Sequence, residues 1–426
     1  MTESSPIPVP VPTKGPGEAT DASFLSRTFA ALRYRNYRLW FLGQMVSLFG
    51  TWMQSTAQAY LIYALTNSPV FLGYVGFAAG LPTWVLTLYA GVIADRLSRR
   101  NLMLITQTAM MILAFILAFL TFTNLVQPWH IIILAFFLGI ANAFDAPARQ
   151  SFVLEMVERE DLTNAIALNS TMFNTATAVG PAIAGLTYAA FGPGWCFTIN
   201  GLSFIAVIIA LMMMRIKPLI HHIQRNPLLQ DLKEGFRYVA HNKTILVIIL
   251  NLGMVSLFGL GFATLIPVWA VKILGGNETT NGYMVSARGF GALISALMIA
   301  SLGRFNSKGK LLTIGSLTMP LVLLVFSVIR SLPLSLIILV AVGWAFMVMM
   351  NMSNALVQTQ VPDKLRGRVM GIYTLVFFGF MPIGSLVNGA MAAQIGAPAT
   401  VRLNACIMLF FGLIIWWKAP GLRKAA

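Results

Sequence analysis

The sequence predicts an all-α integral membrane protein with twelve transmembrane helices in two six-helix, pseudo-symmetric halves. Three observations predict it. The 426 residues are 58% hydrophobic and only 10% charged, with a mean hydropathy of +0.78. A water-soluble domain carries about 25% charged residues, so too few are present here to cover a water-facing surface. Twelve runs reach the ~20 apolar residues that a helix needs to cross a bilayer. Basic residues gather in alternate loops between those runs.

Taken in order, residues 1–36 form a polar, Pro-rich tail ("SSPIPVPVPTKGPG") and a pre-helix segment, expected to be disordered and cytoplasmic. The first apolar run, from Leu39, is too long for a cleaved signal region. The N-terminal half, 37–215, holds spans at 38–64, 69–94, 101–125, 128–149, 162–190 and 195–215. A polar loop at 216–242 follows, and its "LLQDLKEGFRYVAHN" has the amphipathic pattern of a helix lying along a membrane surface. The C-terminal half, 243–418, holds spans at 243–271, 281–302, 309–330, 333–358, 366–393 and 398–418, and residues 419–426 are a second cytoplasmic tail.

Charge sets the orientation. With the N-terminus inside, the inner loops hold Arg96, Arg99, Arg100, Arg159, Arg215, Lys217, Arg225, Lys233, Arg237 and Lys243, then Arg304, Lys308, Lys310, Lys364, Arg366 and Arg368. Lys272, Arg288, Arg330 and Arg402 fall on the outer side or within the membrane. The outer loops "TNSP", "NLVQPW" and "FGPG" carry no charge. That bias predicts both termini on the cytoplasmic side, and it accounts for the net charge of +16 without a nucleic-acid partner.

Enzyme signals are missing: there is no Gly-x-Ser-x-Gly elbow and no His-Glu-x-x-His pair, and "GRFNSKGK" has one residue too many for a phosphate loop. His130, His221, His222 and His241 lack metal spacing, so neither a metal nor a cofactor is expected. Cys196 and Cys406 lie in apolar runs and are expected to be free thiols. Gly180, Gly185, Gly192 and Asn200 recur as Gly384, Gly389, Gly396 and Asn404 at one offset (384 − 180 = 204). Two parallel halves with a site between them near the midplane are a transporter design.

Polar groups inside spans are expensive and mark candidate sites. Asp145 is the one acid placed within a span; counted from Trp129 it lies about 24 Å along the helix, near the inner interface. Arg288 lies about two turns inside span 8, either as a snorkelling anchor or as a cavity cation for an anionic substrate. Gln54 and Gln58 share one face of span 1. Asn169 and Asn174 in span 5, Asn251 and Trp269 in span 7, and Asn351, Asn354 and Gln358 in span 10 complete the cavity candidates. Each amide serves equally as a helix-to-helix hydrogen bond.

"GVIADRLSRR" at 91–100, after span 2, resembles the Gly-x-x-x-Asp-Arg-x-Gly-Arg-Lys/Arg motif of the major facilitator superfamily at Gly91, Asp95, Arg96, Arg99 and Arg100, and departs from it at Ser98. The second half's "ASLGRFNSKGK" keeps Arg304 and Lys308 without an acid. "GPAIAG" is similar to the superfamily's antiporter motif at Gly180, Pro181 and Gly185, with Ala184 in place of one Gly; a packing motif is the equal alternative. "LRYRNYRLWFLGQMVSLFGTWMQ", "LTNSPVFLG", "FDAPARQSFV", "EDLTNAIALNS", "GWCFTIN" and "VPDKLRGRVMG" resemble the branch that contains enterobactin exporters and macrolide efflux proteins.

The resemblance implies a secondary transporter that exports a siderophore-like or drug-like molecule by alternating access, coupled to protons, with a monomer as the expected state. It implies that Asp145 pairs with Arg99. It also implies that Asp95 docks on the start of span 11 beside Arg366 and Arg368, as a cytoplasmic latch of the outward-facing state. Thr51 stands where some relatives carry the coupling Asp. An importer, or a membrane sensor without a transport cycle, remains the alternative.

Overall fold

The computed structural model describes residues 28–96, 98–214, 228–301 and 307–423; for 91–96 it describes the backbone alone. Twelve long helical segments stand where the spans are predicted, each end within three residues of its expected place. They are, as spans 1 to 12, Arg35–Thr66, Pro69–Arg96, Arg99–Phe122, Pro128–Phe152, Leu162–Phe191, Pro193–Met213, 243–273, Glu278–Ser301, Lys308–Val328, Leu332–Gln360, Asp363–Ile395 and Ala397–Lys418. No strand occurs among the described residues. Ten of the twelve are long and apolar enough to cross a membrane; spans 1 and 5 are long enough but less apolar. The start of span 1 and the end of span 12 share one side, termed here the terminal face; the opposite side is the far face.

The repeated residues do corresponding jobs. Gly192 and Gly396 hold φ of +87° and +80° in the turns from span 5 to 6 and from span 11 to 12, a conformation glycine adopts without strain. Gly185 of span 5 packs against Glu278 and Gly282 of span 8, and Gly389 of span 11 packs against Pro69 and Gly73 of span 2. A Cβ on Gly185 would stand 2.9 Å from the Glu278 carbonyl, and one on Gly389 would stand 2.7 Å from the Pro69 carbonyl. These two crossed contacts, 5 with 8 and 11 with 2, join the halves.

Span 7 departs from the single helix predicted over 243–271. It is α-helical over Lys243–Met254, π-helical over Val255–Gly259, 3-10 over Gly261–Leu265, and π-helical again over Trp269–Ile273. Gly259, Gly261 and Pro267 supply the weakness. The irregular backbone finds a partner on span 11, where Asn388 donates to the Leu257 carbonyl at 3.4 Å, and Ser256 Oγ ties the same stretch to span 11 by donating to the Phe377 carbonyl at 2.6 Å. Non-helical backbone at membrane depth survives where protein satisfies it in this way.

The surface helix expected after the first half is present as Leu228–His241, while 215–227, with Arg215, Lys217 and Arg225, lie outside the described residues, as do Arg304 and its neighbours at 302–306. The helix rests on the start of span 11, where Gly235 meets Ile372 and Glu234 forms an ion pair with Arg368.

Candidate substrate cavity

The two halves touch through the far-face ends of their helices. Along spans 5 and 8 the contact runs from Gly185 and Thr279 down to Ser286, whose hydroxyl donates to the Ala178 carbonyl, and to Gly289 against Thr177. Pro181 lacks the N–H that would bond the Thr177 carbonyl, and Gly289 occupies the space beside that freed oxygen. Gly180 packs on Trp52 and Phe49 of span 1. The Gly180, Pro181 and Gly185 motif therefore builds joints with spans 1 and 8.

A further contact closes the outer rim. The Tyr60 hydroxyl of span 1 lies close enough to Glu278 at the start of span 8 to feel its charge. Tyr188 of span 5 sets its ring edge-on to Tyr60, at 5.2 Å between centroids. At the terminal face the side of span 11 away from the Leu228–His241 helix faces the gap between the halves: no described atom lies within 4 Å of where a Cβ on Gly367 or Gly371 would be.

Between these ends lies a cavity of about 530 Å³. Drug-sized ligands occupy pockets of roughly 300–1,000 Å³. Span 1 supplies Gln44, Ser47, Thr51, Gln54 and Gln58 to its wall, and the broken part of span 7 supplies Ala263 and Thr264. Trp52, Phe173, Phe204 and Phe378 give aromatic surface. Among the described residues, the charged ones on the wall are Asp145 and Arg149.

Of the cavity residues expected from sequence, Gln54 and Gln58 line the wall, with Gln54 accepting from Asn200 Nδ2 at 2.7 Å. The others do not. Asn251 donates to Ser316 Oγ at 2.9 Å and ties span 7 to span 9. Asn174 donates to the Ser170 carbonyl of its own helix at 2.8 Å. Asn169 accepts from the Tyr37 hydroxyl at 2.8 Å, and Trp269 stacks on Phe326 at 4.3 Å. Asn351, Asn354 and Gln358 lie in the last turns of span 10, where Gln358 donates to Asn354. Arg288 is half-buried at mid-span, off the wall, with no ion pair among the described residues.

The expected Asp145–Arg99 pair is replaced by two other sets. Arg99 bonds Glu155 at 2.6 Å, on the turn after span 4. The Asp145 Oδ1 accepts from Thr106 Oγ1 and Gln107 Nε2, both at 2.9 Å, and its Oδ2 lies 3.8 Å from Arg149 Nε. The cause is antiparallel register. Spans 3 and 4 form a hairpin, so the first residue of span 3 is level with the end of span 4, while Asp145 is level with Gln107, eight residues (107 − 99) or about 12 Å further along.

The remaining latch residues also have local partners. Arg100 donates to the Leu211 and Met212 carbonyls at 2.7 and 3.0 Å, and so caps the end of span 6. Arg366 pairs with Asp363 one turn back, and Arg368 with Glu234. The side chains of Asp95 and Arg96, and all beyond the backbone at Gly91, lie outside the described residues.

A cavity at the seam of two pseudo-symmetric six-helix halves, sealed on one face, defines a membrane transporter of the major facilitator type. Residues 26–423 match the model of the transmembrane secretion effectors, and the chain belongs to that family. It is similar to the staphyloferrin A transporter of Staphylococcus aureus (strain NCTC 8325 / PS 47), 23% identical over 88% of this chain and 96% of that one. It is also similar to the multidrug efflux pump Tap of Mycolicibacterium fortuitum, 26% identical over 88% and 93%. The enterobactin exporter EntS of Escherichia coli O1:K1 / APEC is 24% identical over 91% and 92%. In fold it resembles an inward-facing, occupied bacterial homolog of the lysosomal transporter Spinster, with a TM-score of 0.71 at 13% identity over 92% and 98% of the chains. The chain is a transporter and not an enzyme.

Proposed function

We propose that this chain is a proton-coupled exporter of small organic molecules in a bacterial inner membrane, with both termini in the cytoplasm. The observation that carries the reading is the mid-membrane cavity, walled by both halves and sealed at the far face. By the charge bias of the loops, the terminal face is cytoplasmic and the structure is inward-facing. Substrate enters from inside, and rocking of the halves about the site delivers it outward. The relatives, a staphyloferrin A transporter, a multidrug efflux pump and an enterobactin exporter, support export of an organic molecule.

Proton coupling needs a titratable group that both sides reach in turn. Thr51 offers none, and Asp145 is the one acid on the cavity wall. It is the group on which the coupling proton rides. The test is an accumulation screen in a pump-deficient strain across siderophores, macrolides and dyes, with and without an uncoupler. Expression lowers accumulation of some compounds, and the uncoupler abolishes the difference. Accumulation raised by expression makes the chain an importer, and no change for any compound refutes export. Reporter fusions after Arg225 and after Asn67 check the topology: a periplasm-only reporter active at Arg225 overturns it.

A further inference from the structure

We propose that Gln44, Gln107 and Asp145 form a subsite for a cationic N–H donor group, such as a protonated amine, on the transported molecule. The inference rests on the exporter reading and names the substrate chemistry of the same cavity.

Start from the hydrogen-bond accounts. Gln107 is 2% exposed, and its amide orientation is forced: Nε2 must face the Asp145 carboxylate, because the carbonyl end would repel it. Its Oε1 is therefore aimed away, and it has no partner. Gln44 is also 2% exposed, and its Oε1 is likewise unpartnered. Both residues line the cavity. A buried polar atom without a partner costs roughly 1–3 kcal/mol, so two on one wall call for an occupant.

The residues share one level. Gln44 lies nine residues (44 − 35) into span 1, Gln107 eight into span 3, and Asp145 seven (152 − 145) before the end of span 4. At about 1.5 Å per residue all three stand some 10–14 Å inside the terminal ends of their helices. They face one another around the same section of cavity.

The sign of the occupant follows from what is left over. Among the described residues, the buried unpartnered atoms on the cavity wall are both acceptors, and no buried donor there lacks a partner. Asp145 adds a carboxylate that is 3% exposed, whose Oδ2 has only the guanidinium at 3.8 Å, beyond hydrogen-bond reach. Arg149 is 29% exposed and free to swing toward the cavity mouth. An N–H cation at about 2.8 Å satisfies Oδ2 and the two amide oxygens better than this guanidinium does. An anion would meet three oxygen acceptors and one mobile cation.

The test uses the full chain in lipid nanodiscs and three probes: rhodamine 6G, a cation with N–H donors; tetraphenylphosphonium, a cation with none; and fluorescein, an anion. Wild type is expected to bind rhodamine 6G at least tenfold more tightly than fluorescein. Gln107→Leu should weaken rhodamine 6G about tenfold and tetraphenylphosphonium less than twofold, since the lost acceptor serves only a probe with N–H donors. Gln107→Leu also removes a donor from Asp145 and can harm folding. Gln44→Leu has no protein partner to disturb and carries the test alone, with a severalfold, rhodamine-selective loss. Fluorescein binding as tightly as rhodamine 6G overturns the subsite. So does an equal loss of both cations in Gln44→Leu. Uncoupler-sensitive efflux that survives such a result leaves the exporter standing; a probe bound with the expected preference yet never exported refutes the exporter and keeps the subsite.

Discussion

The far-face seal can be weakened by one oxygen atom. The Ser286 hydroxyl of the second half donates to the Ala178 carbonyl of the first, so this contact exists only while the outer rim is closed. A neutral hydrogen bond contributes about 0.5–1.5 kcal/mol net. Both residues here are buried, and the figure is about 1 kcal/mol. At about 1.4 kcal/mol per factor of ten, Ser286→Ala should shift the balance between closed and open rims roughly fivefold toward open. The rest of the seal remains, including Thr279 on the Gly185 carbonyl and the glycine packing of spans 2 and 11, so the closed form persists beside a new population.

Spin labels at Leu125→Cys and Ser331→Cys, exposed in far-face loops of opposite halves, report the opening as a second, longer distance. Cys406→Ser removes the exposed native thiol, and Cys196 is buried and can stay. Tyr63→Phe is the control, because the Tyr63 hydroxyl is buried without a partner and its loss removes no bond between halves. Identical distance distributions for wild type, Ser286→Ala and Tyr63→Phe would refute the reasoning.

Gly389→Val places its branches against the Pro69 carbonyl and the Gly73 Cα; it should abolish rim closure on the span 2–11 side, seen as the same spin-label lengthening with transport lost. Glu155→Gln leaves Arg99, 11% exposed, without its counter-charge, and thermal unfolding in detergent should show a loss of roughly 1–3 kcal/mol with little change in substrate preference. Asp95→Asn is expected to keep expression, slow efflux and enrich the form open at the terminal face, read as faster maleimide labelling of Gly367→Cys; unchanged labelling with normal efflux makes 91–100 an anchor alone. Arg288→Gln, off the cavity wall, should change export of fluorescein and of rhodamine 6G alike, and a loss selective for fluorescein would place Arg288 on the substrate path.

The helices were legible because membrane hydropathy is a one-dimensional signal: twelve apolar runs gave twelve helices with nearly correct ends. The break in span 7 was not read, although Gly259, Gly261 and Pro267 stand in the sequence, because whether such a run breaks depends on what satisfies the freed carbonyls, here Asn388 reaching from span 11 to the Leu257 carbonyl. The cavity was half legible. Gln54 and Gln58 were found by their shared face, but Asn174 and Asn251 carry the same signal and spend it on a helix carbonyl and on Ser316. Side-chain type marks a polar group in a membrane; helix rotation decides its partner. Gln107 was within reach, since the hairpin of spans 3 and 4 puts it level with Asp145.

The two helices that fall short of membrane apolarity show how the protein divides its polar groups. Span 5 silences its own. Ser170, Thr171, Asn174 and Thr177 each donate to the carbonyl four residues back, at 2.8–3.0 Å, so they cost little beside lipid or a neighbouring helix. Its lower apolarity leaves a surface that packs as if it were apolar, and the small residues Gly180, Gly185 and Ala178 use that surface to seat spans 1 and 8. Span 1 does the opposite. Gln44, Thr51, Gln54 and Gln58 face the cavity, and among the described residues Gln54 alone of these has a side-chain partner, Asn200. A glutamine is too long to fold back onto its own carbonyl as serine or threonine does, so it stays available to whatever enters. The wall of span 1 reaches from Gln44 near the terminal face to Gln58 near the far-face end, so one helix offers acceptors along the whole path and ends at the rim that must open to let the cargo leave.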